Sequence, residues 1–149
     1  MIASLVGSEM CIRDRFPGIK SYINDTIDSA RKNKYVETIF GRKRSIWDID
    51  SENGIRKKAA ERMAINMPIQ GSAAEMIKVA MIAIQEELTK NAMKSKMILQ
   101  IHDELIFECP LEEEHLLVTL VVGKMENAMK LSVPVVVDYD SGNSWLEAH

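Results

Sequence analysis

The residues best placed to do chemistry are His102, Asp103 and Glu104, inside Gln100-Ile-His-Asp-Glu-Leu-Ile-Phe107. Apolar runs flank them, Met97 to Ile101 before and Leu105 to Cys109 after, so the segment reads as strand, tight turn, strand. A two-residue hairpin ordinarily takes Asn-Gly or Asp-Gly to reach positive φ. This turn region has no glycine and holds two adjacent carboxylates, which repel each other. A divalent cation would offset that repulsion. Hard oxygen donors at a hairpin tip suit Mg²⁺, which keeps several waters and takes one or two carboxylates plus phosphates. From the residues alone, a solvated acidic turn is the alternative.

A second constellation is Arg62, Asn66 and Gln70, each four residues from the next. On a helix they share one narrow arc. Guanidinium and carboxamide groups in a row can donate to phosphates and to minor-groove base acceptors. A plain surface stripe is the alternative, and Pro68 interferes with the alignment of Gln70. The third constellation is basic: Arg42, Lys43 and Arg44, then Arg56, Lys57 and Lys58. These cations could track a phosphate backbone or simply face solvent.

The elements that must position these residues can be read from period and punctuation. Pro17 opens a helix where proline is tolerated. Ile19, Tyr22, Ile23 and Ile27 give it an apolar face, and Asn33 and Lys34 end it. Tyr35 to Phe40 reads as a strand, Gly41 to Lys43 as its turn, and Arg44 to Trp47 as the returning strand. Asn53-Gly54 signals a turn. A helix is predicted from Ile55 to Asn66, broken at Pro68 because the residue before proline avoids the helical region. A new helix restarts at Ser72, with Ser72 and Glu75 at capping-box spacing. Its apolar stripe is Ala73, Ile77, Ala80, Met81, Ile84 and Leu88. Glu112 to Met129 reads as a helix with three glutamates in its first turn. Val133 to Tyr139 reads as a last strand, and polar turn residues with Trp145 finish the chain. The fold class is α+β with antiparallel strand pairs.

Composition bounds the rest. The 149 residues, 46% hydrophobic, suffice for a globular domain with a real core. Only 5% are aromatic while ten are methionine, so the core must be aliphatic and adaptable. No apolar run reaches the length of a membrane span. Two cysteines, Cys11 and Cys109, give no ligand spacing and fit a reducing cytosol. Three dispersed histidines argue against a histidine-rich metal site. Between Arg31 and Arg62, ten basic residues face five acids; from Leu99 to His149, two face ten. A basic half beside an acidic half suits a protein that grips a polyanion with one part and holds cations with the other. Met1 to Arg15 is unlike the rest of the chain and resembles translated adapter sequence, so residues 16–149 are taken as the folded part.

The constellations occur in a telling order. Tyr35-Val-Glu-Thr, Gly41-Arg-Lys-Arg, Asn53-Gly, Ala60-Glu-Arg-Met-Ala-Ile-Asn-Met-Pro-Ile-Gln-Gly-Ser-Ala-Ala, Gln100-Ile-His-Asp-Glu-Leu and Gly142-Asn-Ser-Trp-Leu-Glu-Ala-His together resemble the end of the family A DNA polymerases, the bacterial members in particular. The resemblance runs from about Phe16 to His149. It implies the carboxy-terminal part of a polymerase palm with adjoining DNA-contacting helices. It implies that Asp103 holds two catalytic Mg²⁺ ions, that Glu104 is the supporting carboxylate, and that His102 lies near the primer end. Arg62, Asn66 and Gln70 would touch the primer–template minor groove. Arg42 and Arg44, from the basic run, are taken as DNA-binding through the phosphate backbone on charge alone. The implied reaction is template-directed addition of deoxynucleotides by two-metal phosphoryl transfer. The implied enzyme is bacterial, cytoplasmic and monomeric, takes primer–template DNA and deoxynucleoside triphosphates as partners, and serves replication and repair.

The family's other metal-binding aspartate and its nucleotide-binding fingers helix would lie upstream of Phe16. The chain alone is therefore expected to be inactive. Rival readings are a His-Asp phosphohydrolase, a non-catalytic nucleic-acid-binding module, a single-subunit RNA polymerase and a phage-borne family A polymerase. The phosphohydrolase needs further histidines beside His102. The binding module leaves the acidic turn unexplained. Glu104 after His-Asp favours DNA over RNA synthesis.

Overall fold

The computed structural model describes residues 16–144 and residue 147. The leader assigned to residues 1–15, the closing Trp145 and the terminal His149 lie outside these. The chain divides into two compact units, one ending at Ser72 and the other starting at Ala73. Among the described residues each unit has its own cluster of buried apolar side chains.

In the first unit, helix α1 spans Pro17–Asn33 with proline in its first turn. Lys34 closes it in the left-handed region, φ 64°, and its N–H bonds to Ala30 O at 2.8 Å. The expected apolar face is only partly covered: Ile19 and Tyr22 stay exposed, and Ala30 is the fully buried residue. Strand β1 (Tyr35–Glu37) pairs antiparallel with β2 (Lys43–Ser45), Val36 opposite Arg44. Both strands are shorter than the sequence suggests, because the chain from Thr38 to Arg42 is spent on the turn. Gly41 stands there at φ 83°, a backbone state that favours glycine. A 3-10 turn, Trp47–Asp50, comes next. Asn53, read in sequence as a turn signal, acts as a helix N-cap. Its Oδ1 accepts the N–H groups of Ile55 at 3.0 Å and Arg56 at 3.3 Å. Ala30, Val36, Ile46, Ile49, Ala60, Ala64 and Met67 form the core.

Helix α2 runs unbroken from Gly54 to Lys90, with Pro68 inside it. This corrects the expected break and the restart at Ser72. Proline costs roughly 3 kcal/mol in a helix interior, because it removes one backbone donor and crowds the preceding turn. Burial outweighs that here: Ala60, Ala64 and Met67 are packed before the proline, and Ile77, Ala80, Ile84 and Leu88 after it. Ser72 caps nothing. Its hydroxyl donates back to Pro68 O and accepts the Ile39 N–H at 3.0 Å.

In the second unit, Ile77, Ala80, Ile84 and Leu88 form the predicted buried stripe, although Ala73 at its start is exposed. Strands β3 (Lys96–Ile101) and β4 (Glu104–Glu108) pair antiparallel, with an irregularity between Met97 and Leu99. Met97, Leu105 and Phe107 pack against the cluster of Ala80, Ile84, Leu88 and Leu117. A 3-10 turn, Leu111–Glu113, leads into helix α3, Glu114–Glu126. This helix is shorter than predicted at both ends. The expected strand Val133–Tyr139 is not formed. Pro134 has no N–H to give a ladder, and Val137 donates its own to Glu126 Oε1 at 3.3 Å. Among the described residues no strand lies alongside. No helix among the described residues is long and apolar enough to cross a membrane.

Candidate functional site

The first unit carries a basic groove. Arg42, Lys43 and Arg44 line it from the turn and β2; Arg62, Met63, Asn66, Met67, Gln70 and Gly71 line it from α2. Its volume is about 600 Å³. Four cations and no carboxylate stand among the lining residues. Because α2 passes through Pro68 without a break, Arg62, Asn66 and Gln70 keep one face, as their spacing predicts. The sequence treats this row and the Arg42 run as separate features; the fold brings them together. Arg56, Lys57 and Lys58 are not among the lining residues.

Lys43 Nζ lies 4.4 Å from the centre of the Tyr35 ring, a cation–π placement that orients its ammonium. The Arg42 guanidinium donates to Gly71 O at 3.4 Å. Sequence alone does not single out Met63, Met67 and Gly71. Their position beside Arg62, Asn66 and Gln70 on the same helix is the available signal.

The second unit carries the acidic hairpin. Ile101 opposite Glu104 is the last strand pair, so the turn is His102 and Asp103 alone. Glu104 starts β4 and is not part of the turn. His102 sits at φ 53°, the positive value the turn demands and glycine would supply freely. A side chain in that region costs about 1–2 kcal/mol. The Gln100 side-chain amide donates to His102 O at 3.0 Å, which steadies the turn. His102, Asp103 and Glu104 are all exposed.

Two exposed carboxylates are the hard donors Mg²⁺ prefers. Among the described residues no group of three histidines, cysteines or acids is close enough to hold a metal ion. The tip therefore offers one or two of the oxygen donors a Mg²⁺ site uses, the rest being waters or phosphates.

A clamp holds the base of this hairpin. The Glu113 carboxylate accepts the Lys94 and Ser95 N–H groups, both at 2.9 Å, and the Ser95 hydroxyl at 2.6 Å. The Lys94 N–H first, then the Ser95 hydroxyl, hold the Glu113 carboxyl below the usual glutamate range. By sequence this glutamate belongs to the macrodipole of a helix first turn. It instead secures the residues entering β3.

The family model for DNA polymerase family A matches residues 12–147. The chain belongs to this family. The match takes in residues 12–15, the end of the segment set aside as resembling adapter sequence. The chain is 48% identical over 134 residues to DNA polymerase I of Caldicellulosiruptor bescii, covering 90% of this chain and 16% of that protein. It is 45% identical over 135 residues to DNA polymerase I of Bacillus subtilis, covering 91% of this chain and 15% of that protein. Among solved structures, it matches the POL domain of Pol1 from M. smegmatis in complex with DNA primer-template and dNTP. The TM-score is 0.88 at 45% identity, over 91% of this chain and 24% of that one. The chain thus spans about a sixth of the family A relatives it matches in sequence. The α+β class with antiparallel strand pairs agrees with this match.

Proposed function

We propose that this chain supplies the carboxy-terminal part of the active site of a DNA-directed DNA polymerase. The acidic hairpin tip, in a chain of family A, carries the proposal. Asp103 offers its carboxylate to Mg²⁺, with Glu104 as the supporting oxygen donor. Bound there, Mg²⁺ would activate the primer 3′-hydroxyl and stabilise charge on the triphosphate, as in two-metal phosphoryl transfer. His102 stands beside Asp103 in the same turn, where it can position the primer end. Template-directed addition of deoxynucleotides, in replication and repair, is the reaction this reading assigns. Primer–template DNA and deoxynucleoside triphosphates are its partners, and the bacterial cytoplasm is the matching compartment for a monomeric enzyme.

The groove has the chemistry to hold duplex DNA. Arg42, Arg44 and Arg62, with Lys43, provide charge-assisted donors for phosphate oxygens. Asn66 and Gln70 carry both a donor and an acceptor, which suits the acceptor pattern of the minor groove. The groove alone would also serve a non-catalytic duplex-binding module, and only the tip separates the two readings.

The test is a chimera in which this chain replaces the matching 134 residues of the C. bescii polymerase. Template-directed primer extension is the expected result. A soluble chimera that binds primer–template yet adds no nucleotide would favour the binding module instead.

A further inference from the structure

The turn between β1 and β2 is fastened to α2 more closely than its role as a surface loop requires. Thr38 and Ser72 are buried, at 4% and 3% exposure. Thr38 Oγ1 accepts the Arg42 N–H at 3.1 Å, and the Thr38 N–H donates to Arg42 O at 3.0 Å. The Ser72 hydroxyl is used in both directions: it accepts the Ile39 N–H at 3.0 Å and donates to Pro68 O. Gly71 precedes Ser72 and faces the same turn. A Cβ built there would come within 2.7 Å of the Thr38 methyl carbon, closer than real side chains approach. Glycine weakens a helix interior, so its presence in α2 needs a packing reason. The Thr38 methyl supplies one. With the Arg42 guanidinium donating to Gly71 O at 3.4 Å, three contacts converge on the helix turn that also carries Gln70, and the loop they hold delivers Arg42, Lys43 and Arg44 to the groove.

We infer that Gly71 and Ser72 are positioning residues, which fix the basic turn on α2 and so set how many DNA phosphates the groove engages at once. This rests on the duplex-binding reading of the groove. Loss of the Ser72 hydroxyl leaves the Ile39 N–H without its acceptor. A methyl at Gly71 pushes Thr38 away. Either change frees the turn to move off α2, so its cations reach the phosphates only part of the time. Binding then weakens and depends less steeply on salt. A merely structural role would lower the melting temperature and leave the salt slope alone.

The experiment measures binding of the full chain to a primer–template duplex by fluorescence anisotropy, from about 50 to about 200 mM salt, well below the melting temperature of each variant. Each phosphate neutralised contributes roughly 0.9 to the slope of log affinity against log salt. Ser72→Ala and Gly71→Ala should each reduce that slope by about one to two units. Ser72→Thr keeps the hydroxyl and should keep the slope. In the double variant Gly71→Ala/Thr38→Ser the colliding methyl is gone and the Thr38 hydroxyl is retained, so the slope should recover. This pair carries the test should Ser72→Ala fail to fold. Variants that melt earlier but bind with the wild-type slope would overturn the inference and leave the duplex-binding reading standing. An absence of duplex binding by the wild-type chain would overturn both.

Discussion

At the scale of single residues, the tip and the groove differ in how far sequence could reveal them. His102, Asp103 and Glu104 stand out as a glycine-free turn region with adjacent acids, yet the residues alone fit a solvated acidic turn as well, and the ordered resemblance to family A is what favours the metal reading. The structure sharpens this: His102 takes the positive φ, and Glu104 belongs to the strand. Arg62 is legible only as one of a row, since a helical stripe of polar residues is also ordinary surface. What singles it out is tertiary, namely the arrival of Arg42, Lys43 and Arg44 on the same groove. Arg62→Ala should weaken duplex binding by the full chain. If the guanidinium meets a phosphate, the salt slope should fall by about one unit. A groove contact to bases would weaken binding at nearly constant slope. Unchanged affinity and slope would remove Arg62 from the interface.

At the scale of elements, local signals succeed where the fold asks for nothing else. Pro17 and Lys34 mark the ends of α1, and the apolar runs around residue 102 mark the two strands of the hairpin. Local signals fail where a neighbour decides. Pro68 obeys its local rule only if burial on either side of it is ignored. Val133 to Tyr139 has strand-like composition, but a strand needs a partner, and Val137 gives its N–H to Glu126. The clamp at Glu113 is equally invisible in sequence, because it joins residues 18 and 19 positions apart.

Its charge makes a prediction. The folded pKa of Glu113 is depressed, so its contribution to stability is fully present above the ordinary glutamate value of about 4.3. That contribution is lost as pH falls through the lower folded value. Melting temperature of the wild type should therefore drop on acidification below about pH 4.3. Glu113→Gln should show a shallower drop, starting from a lower neutral-pH melting temperature. Asp50, held low by its hydrogen bond to Lys34, and Glu87, held low by its hydrogen bond to Lys124, act in the same direction and leave some slope in the variant. Parallel pH profiles for the two proteins would show that the Glu113 charge does not stabilise the clamp.

At the scale of the whole molecule, two units carry two different chemistries, a polycationic groove in one and an acidic hairpin in the other. Two Mg²⁺ ions about 3.5–4 Å apart are held as a clamp on both attacking and leaving oxygens, which takes carboxylates from more than one turn. Among the described residues no third acid joins Asp103 and Glu104 at such a site. The isolated chain should therefore bind duplex DNA yet give no template-dependent extension with Mg²⁺ and four deoxynucleotides. Extension above that of an Asp103→Asn control would show a site complete within these 149 residues.

The role proposed for Asp103 is to hold catalytic metal. Its most direct test is the single-turnover rate of nucleotide addition by the C. bescii chimera, with and without Asp103→Asn, at saturating primer–template and Mg²⁺. Removal of a metal ligand forfeits several kcal/mol of charge stabilisation, which corresponds to a rate loss on the order of a thousandfold. That loss is expected with primer–template affinity unchanged. A variant that adds nucleotides within a few-fold of the unsubstituted chimera would contradict it.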